Sequence, residues 1–243
     1  MLNIFAAPGD AFQDIKDKPV NNANWVTPAL IIMFLGWFAG LLIFSQDTIK
    51  HQIKDVREKA IQKQMERKHA SQQEIDKAIE MAEKYGDVGT IAMAFIAPIF
   101  SGFAPPFIWG GIFWLIGAKA LGGRFSYMKA VEAVGLAAMI EALEIIIRTL
   151  LVLVTGNMFV SPSLALLVKD LDVQNKVHVL LGYINIMTFW LLAVRAVGIS
   201  KLSNVSFARA ALWVFGVWIG YSALIFGIGT AVQQVFSKMG GGG

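Results

Sequence analysis

The chain has 243 residues, of which 56% are hydrophobic and only 16% charged, with a mean hydropathy of +0.59, a combination that excludes an ordinary water-soluble domain. A net charge of +4 and a pI near 9.3 would suit nucleic acid, but the basic residues form no arginine-rich run and no aromatic-interleaved face, so nucleic acid is excluded as a partner. The absence of cysteine removes disulfides, thiolate catalysis and Cys-ligated metal sites.

Residues 1–24 lack the basic start of a cleavable signal and carry Asp10, Asp14 and Asp17. Within them, Phe5, Phe12 and Ile15 alternate with acids and Lys16 after Pro8, which predicts a short amphipathic helix lying in the membrane interface. The first membrane crossing is expected from Trp25 to Ser45, with Pro28 in its opening turn and a GxxxG pair at Gly36 and Gly40.

Residues 46–87 hold 18 of the 38 charges, nine basic and nine acidic. Ile49, Ile53, Val56 and Ala60 recur at helical spacing, and the pattern breaks at Lys68-His69-Ala70. Ser71 and Glu74 then form a capping box opening a second helix, expected to stop at Gly86. The reading is an extramembrane helical hairpin, a candidate surface for a protein partner.

The second crossing, Val88 to Gly117, contains Pro98, Pro105 and Pro106 and is expected to be kinked, or broken into two short segments. The third runs from Tyr127 to Thr155. Residues 156–176 include Ser161-Pro162-Ser163 and a short apolar run ending in Lys169, Asp170 and Asp172, too short to span and expected to lie along the far interface. The fourth crossing is His178 to Ile199, and the fifth is Phe207 to Phe236 with a second GxxxG at Gly216 and Gly220. Five crossings put the termini on opposite sides. The expected architecture is all-α: a polytopic five-helix membrane bundle in a single domain over residues 1–238, followed by a Gly-rich tail over 239–243.

Charges at bilayer depth are costly and mark candidate sites. Glu141, Glu144 and Arg148 share one stripe of the third crossing, with Glu144 spaced to pair with Arg148 and Glu141 left without a local partner. Glu132 and Arg195 fall at similar depth on antiparallel neighbours and are expected to bridge, and Asn185 lies midway along the fourth crossing as an interhelical hydrogen-bonding group. Two readings follow: these groups fix helix register, or Glu141, Glu144 and Arg148 line the polar path of a small transporter, channel or lipid-moving protein. His51, His69 and His178 form no metal set, no cofactor is called for, and no nucleophile elbow, P-loop or zinc-protease motif occurs. The chain therefore reads as non-catalytic.

The opening Ile4-Phe5-Ala6-Ala7-Pro8-Gly9-Asp10-Ala11-Phe12, followed by Asn24-Trp25-Val26-Thr27-Pro28, resembles the entry of the Yip family, the Ypt-interacting membrane proteins, in its prokaryotic branch. Ser161-Pro162-Ser163-Leu164, the run Leu180 to Trp190, Val197 to Ser203 and Val205 to Ala210 resemble its closing helical pair. The resemblance implies five membrane helices, a cytosolic N-terminus and a C-terminus across the bilayer. In eukaryotic relatives it implies trafficking roles and binding of prenylated Rab-type GTPases, and in prokaryotic members no defined activity. A prokaryotic chain would sit in the cytoplasmic membrane. With the N-terminus inside, the nine Lys and Arg of the hairpin lie outside against eight on the inner side, although the inner connections 119–129 and 201–209 are short, basic and free of acids.

Overall fold

The structure, a computed structural model, describes residues 1–168 and 175–239. Lys169, Asp170 and Asp172 of the expected interfacial stretch, and Gly240 to Gly243 of the tail, lie outside the described residues.

Every named element is helical. The N-terminal segment forms α1 (Asn3–Ala6) and α2 (Pro8–Lys16), the latter opened by Pro8, whose missing N–H costs nothing at a helix start. Its apolar face is turned to protein rather than to lipid: Ile4 and Phe12 are fully buried and join a core made mainly by the later helices. Phe12 sits where a Cβ at Gly198 would come within 3.0 Å of its ring, so the glycine lets α2 lie against α9 (Ile186–Ser203).

The first crossing is α3 (Ala23–Phe44), and it packs against the helices Gln72–Trp114, Tyr127–Ala137 and Met139–Thr155. Gly36 serves as expected, since a Cβ there would meet Pro98 at 2.9 Å, whereas Gly40 is met only by Phe44 of its own helix at 3.9 Å.

The hairpin begins with α4 (Asp47–Glu66). After His69, which takes a left-handed φ of 54°, Ser71 opens α5 (Gln72–Trp114), with Glu74 accepting from the Ser71 N–H at 2.8 Å and hydroxyl at 2.9 Å. These bonds stabilise the carboxylate and hold the Glu74 carboxyl below its ordinary value. The expected stop at Gly86 does not occur: α5 runs unbroken for 43 residues, past Gly86 and into the membrane. Gly86 lacks the positive φ that ends a helix, and its missing side chain instead makes way for Arg57, whose guanidinium donates to the Ala82 and Gly86 carbonyls and to the Thr90 hydroxyl. The expected break at the prolines is absent too. A proline removes one backbone bond, but packing against neighbouring helices can carry it through, and the Ser101 hydroxyl donates to the Pro98 carbonyl at 3.0 Å. A π-helical turn, Leu115–Ala120, closes this element.

The third expected crossing is divided into α6 (Tyr127–Ala137) and α7 (Met139–Thr155), which meet at Ala138, whose N–H is shared between the Val134 and Gly135 carbonyls. Residues 129–137 of α6 are all buried, and a Cβ at Gly135 would lie 2.3 Å from Trp25 Cβ and 2.4 Å from its Cα, so α3 enters the bundle through a gap only glycine leaves open. α7 ends at Gly156 in the left-handed conformation. There Gln52 of the hairpin donates to the Gly156 carbonyl at 2.6 Å and accepts from the Met158 N–H at 3.1 Å, while Ile49 is buried with Val152 and Val160. The base of the hairpin is thus seated on the end of α7.

The fourth expected crossing is also divided, into α8 (Lys176–Tyr183) and α9. The last helix, α10 (Phe207–Met239), packs on α9 and the π-helical turn. Among the described residues no group lies within 4 Å of a Cβ placed at Gly216 or Gly220, so none of them packs on the second GxxxG.

Four helices among the described residues are long and apolar enough to cross a membrane: Ala23–Phe44, Val88–Ala120, Ile186–Ser203 and Phe207–Ile228. Their outer faces expose large apolar side chains such as Phe34, Phe38, Phe95, Phe100 and Leu212, a surface suited to acyl chains rather than water. The molecule is an all-α, multi-pass integral membrane protein.

Candidate functional site

Among the described residues, the charged side chains of the interior belong to three groups. In the first, Arg195 on α9 donates to the Glu141 carboxylate on α7 at 2.8 Å, with side-chain exposures of 7% and 26% respectively. The guanidinium also lies over the Trp109 ring of α5, 5.0 Å from its centre, and Trp109 meets Tyr221 of α10 edge-on at 5.9 Å. One cation thereby joins the faces of four helices. Arg195 Nε is buried without a hydrogen-bond partner among the described residues.

In the second group, Glu144 accepts from Asn185 Nδ2 at 2.6 Å. Asn185 is not midway along a helix: it caps α9, its Oδ1 accepting from the Met187 N–H at 2.8 Å. The break before α9 is closed by a short β-bridge between Ser163 and Asn185, with the Leu164 N–H donating to the Ile184 carbonyl and the Ile186 N–H to the Pro162 carbonyl. These bonds satisfy backbone groups that an interrupted membrane helix would otherwise leave unpaired. Glu144 fixes the side chain that holds this break.

The third group lies at the start of α6. Lys129 donates to Glu132 at 2.6 Å and to the carbonyls of Ile15 and Lys18 at 2.9 Å each, and Glu132 accepts from Asn24 Nδ2 at 2.7 Å. Both side chains are buried, and the cluster ties the end of α2 and the approach to α3 onto α6. An open cavity of about 220 Å³ lies beside it, lined by Glu132, Asn24, Asp14 and Lys18 among others.

Two pairings expected from the sequence are therefore corrected. Glu132 does not bridge to Arg195, because α6 turns it toward Lys129 and the N-terminal segment, and Arg195 meets Glu141 instead. Glu144 does not pair with Arg148, which is exposed; its long apolar stem suits a path along the lipid-facing side of α7 toward the headgroups. Lys129, Asn24 and Trp109 were missing from the expected set. The Lys129–Glu132 spacing of three was a usable helical signal, whereas nothing local in the sequence places Trp109 under Arg195.

None of the cavities described here includes Glu141, Glu144 or Arg148 in its lining. Among the described residues no group of three or more His, Asp or Glu could hold a metal ion.

Residues that carry the sequence resemblance meet one another in space, Phe12 on Gly198 and Ser200 donating to the Val205 carbonyl at 2.7 Å beside the left-handed Asn204, while Trp25 is seated on Gly135, which lies outside those motifs. A profile of the Yip1 domain matches residues 2–229, nearly the whole chain. The chain belongs to the Yip1 domain family. No curated protein and no solved structure matches it significantly. Membership of the Yip1 domain family is consistent with a non-catalytic protein, and Phe12 of the N-terminal motif is seated on Gly198 of the C-terminal one.

Proposed function

We propose that this Yip1 domain protein is a non-catalytic scaffold of the membrane, organising the bilayer or holding a protein partner through its charged hairpin. The observation that carries this reading is the mutual pairing of the interior polar groups, Arg195 with Glu141, Asn185 with Glu144 and Lys129 with Glu132, which suits groups that set helix register. A transport path needs a carboxylate facing a hydrated space, and Glu141 instead meets a guanidinium.

The same proposal includes five crossings, with α6 and α7 together forming the third, a single domain over residues 1–238, a cytosolic N-terminus packed at the interface, and a hairpin standing outside the bilayer. The Rab-type partners of eukaryotic relatives are not carried over to any residue here. The hairpin tip is the contact surface, because its base is already committed to α7 through Ile49 and Gln52.

The test is affinity capture of the full chain against a variant in which residues 60–80 are replaced by a short glycine linker, leaving that base intact. Loss of a specific co-purifying protein supports the reading; the same recovery from both chains rejects the hairpin as the contact surface. Flux of ions or labelled lipid through the reconstituted wild type, abolished in Glu141→Gln, would reject the scaffold reading itself.

A further inference from the structure

The largest cavity described in the molecule, about 800 Å³, is an open cleft where the hairpin meets the bundle, bordered by α3, α4 and α5. That volume is within the range of small-molecule sites, roughly 300 to 1,000 Å³. Its two ends have opposite chemistry. Trp37, Leu41 and Phe44 of α3 and Ile91, Ala94 and Phe95 of α5 make the lower part apolar, while Lys50, His51, Lys54 and Arg57 of α4 lie along the upper part.

The depth of the cavity follows from its position in the chain. Phe44 is the last residue of α3, and the apolar stretch of α5 begins at Val88. Leu41, Phe44, Ile91 and Phe95 therefore sit within about two helical turns of the end of a crossing, at the boundary between acyl chains and headgroups. Trp37 donates its indole N–H to the Phe95 carbonyl at 2.9 Å and ties α3 to α5 at the inner end.

The cations are patterned. Lys50, Lys54 and Arg57 are spaced by four and three residues, which puts them on one stripe of α4. Among the lining residues, three cations face one carboxylate, Glu83. Glu83 pairs with Lys54, and Asp47 pairs with Lys50 at 2.9 Å, but all four side chains are substantially exposed, and such pairs are weak enough to yield to a phosphate. Arg57 has a different task, since its hydrogen bonds to α5 hold the two arms of the hairpin together over the cavity.

We propose that this cavity binds one anionic glycerophospholipid, with the phosphate headgroup against Lys50, His51 and Lys54 and an acyl chain between α3 and α5. A zwitterionic headgroup would bring its own ammonium against the basic stripe, and a free phosphate would leave the apolar part unfilled. The site is independent of whether the hairpin holds a protein partner.

The test is native mass spectrometry of the full chain, purified in mild detergent and offered phosphatidylglycerol or phosphatidylcholine of matched chains. The wild type retains a single phosphatidylglycerol and loses phosphatidylcholine. Lys50→Gln with Lys54→Gln, both at exposed positions, lowers that retention at least tenfold. Gly40→Leu does the same by filling the apolar part, where a Cβ meets nothing closer than Phe44 at 3.9 Å. Should Gly40→Leu fail to stay monodisperse, Ala94→Leu blocks the cavity from α5 and takes its place. Equal retention of the two lipids, retention unchanged by both kinds of variant, loss from the lysine variant without loss from the filled one, or displacement by millimolar inorganic phosphate would each overturn the proposal.

Discussion

Replacing Glu141 by Gln removes the counter-charge from a guanidinium that is 7% exposed. Its remaining support is the Trp109 ring at 5.0 Å. Breaking a buried ion pair from one side costs about 3–5 kcal/mol, whereas neutral hydrogen bonds between membrane helices average only about 0.6 kcal/mol, so the charge left behind dominates the expected loss. Arg195→Met leaves a carboxylate that is less buried than the guanidinium, 26% exposed against 7%, and a smaller loss of about 2–3 kcal/mol is expected. The double variant Glu141→Gln, Arg195→Met removes both charges and should recover most of the wild-type stability. The assay is thermal unfolding in detergent followed by tryptophan fluorescence, where about 2–4 °C per kcal/mol makes the Glu141→Gln shift roughly 6–20 °C. Additive losses in the double variant, or single shifts under about 2 °C, would refute the pairing as a determinant of helix register.

Lys129→Met cuts the bonds that hold the end of α2, so trypsin should cleave after Lys16 several times faster in the variant; Lys18 is protected from cleavage by Pro19 in either case. An unchanged digestion time course would show that the apolar face of α2 suffices. Gly135→Ala drives a methyl into Trp25 backbone and side chain and is expected to cost about 1–3 kcal/mol, while Gly216→Ala and Gly220→Ala meet open space and should gain about 0.5–1 kcal/mol each from helix propensity, both read from detergent melts. Loss of stability in the Gly216 or Gly220 variant, together with a change in oligomer size, would place a partner helix on α10. In carboxyl-labelled NMR, Glu74 should titrate below the ordinary glutamate value of about 4.3 and return toward it in Ser71→Ala. Because its native value is depressed, the capping contribution is complete above the unfolded value and disappears as pH falls through the native one.

What local pattern decides was legible from the chain alone. Four of the apolar windows, the capping box at Ser71 and Glu74 and the opening turn at Pro8 depend on residues a few positions apart, and each of these is found as a helix or helix start in the expected part of the chain. The family followed from short motifs for the same reason. Tertiary structure decided everything that depended on a neighbour. Gly86 looks like a helix stop until Arg57 fills the space above it, and three prolines look like a break until packing carries the helix through them. Helix spacing offered Arg148 to Glu144 and antiparallel depth offered Arg195 to Glu132. The divisions at Ala138 and Asn185 changed which faces met, giving Glu144 to Asn185 and Arg195 to Glu141. A buried charge takes the partner that packing brings within hydrogen-bond distance, and sequence spacing specifies that partner only when both residues share a helix, as Lys129 and Glu132 do.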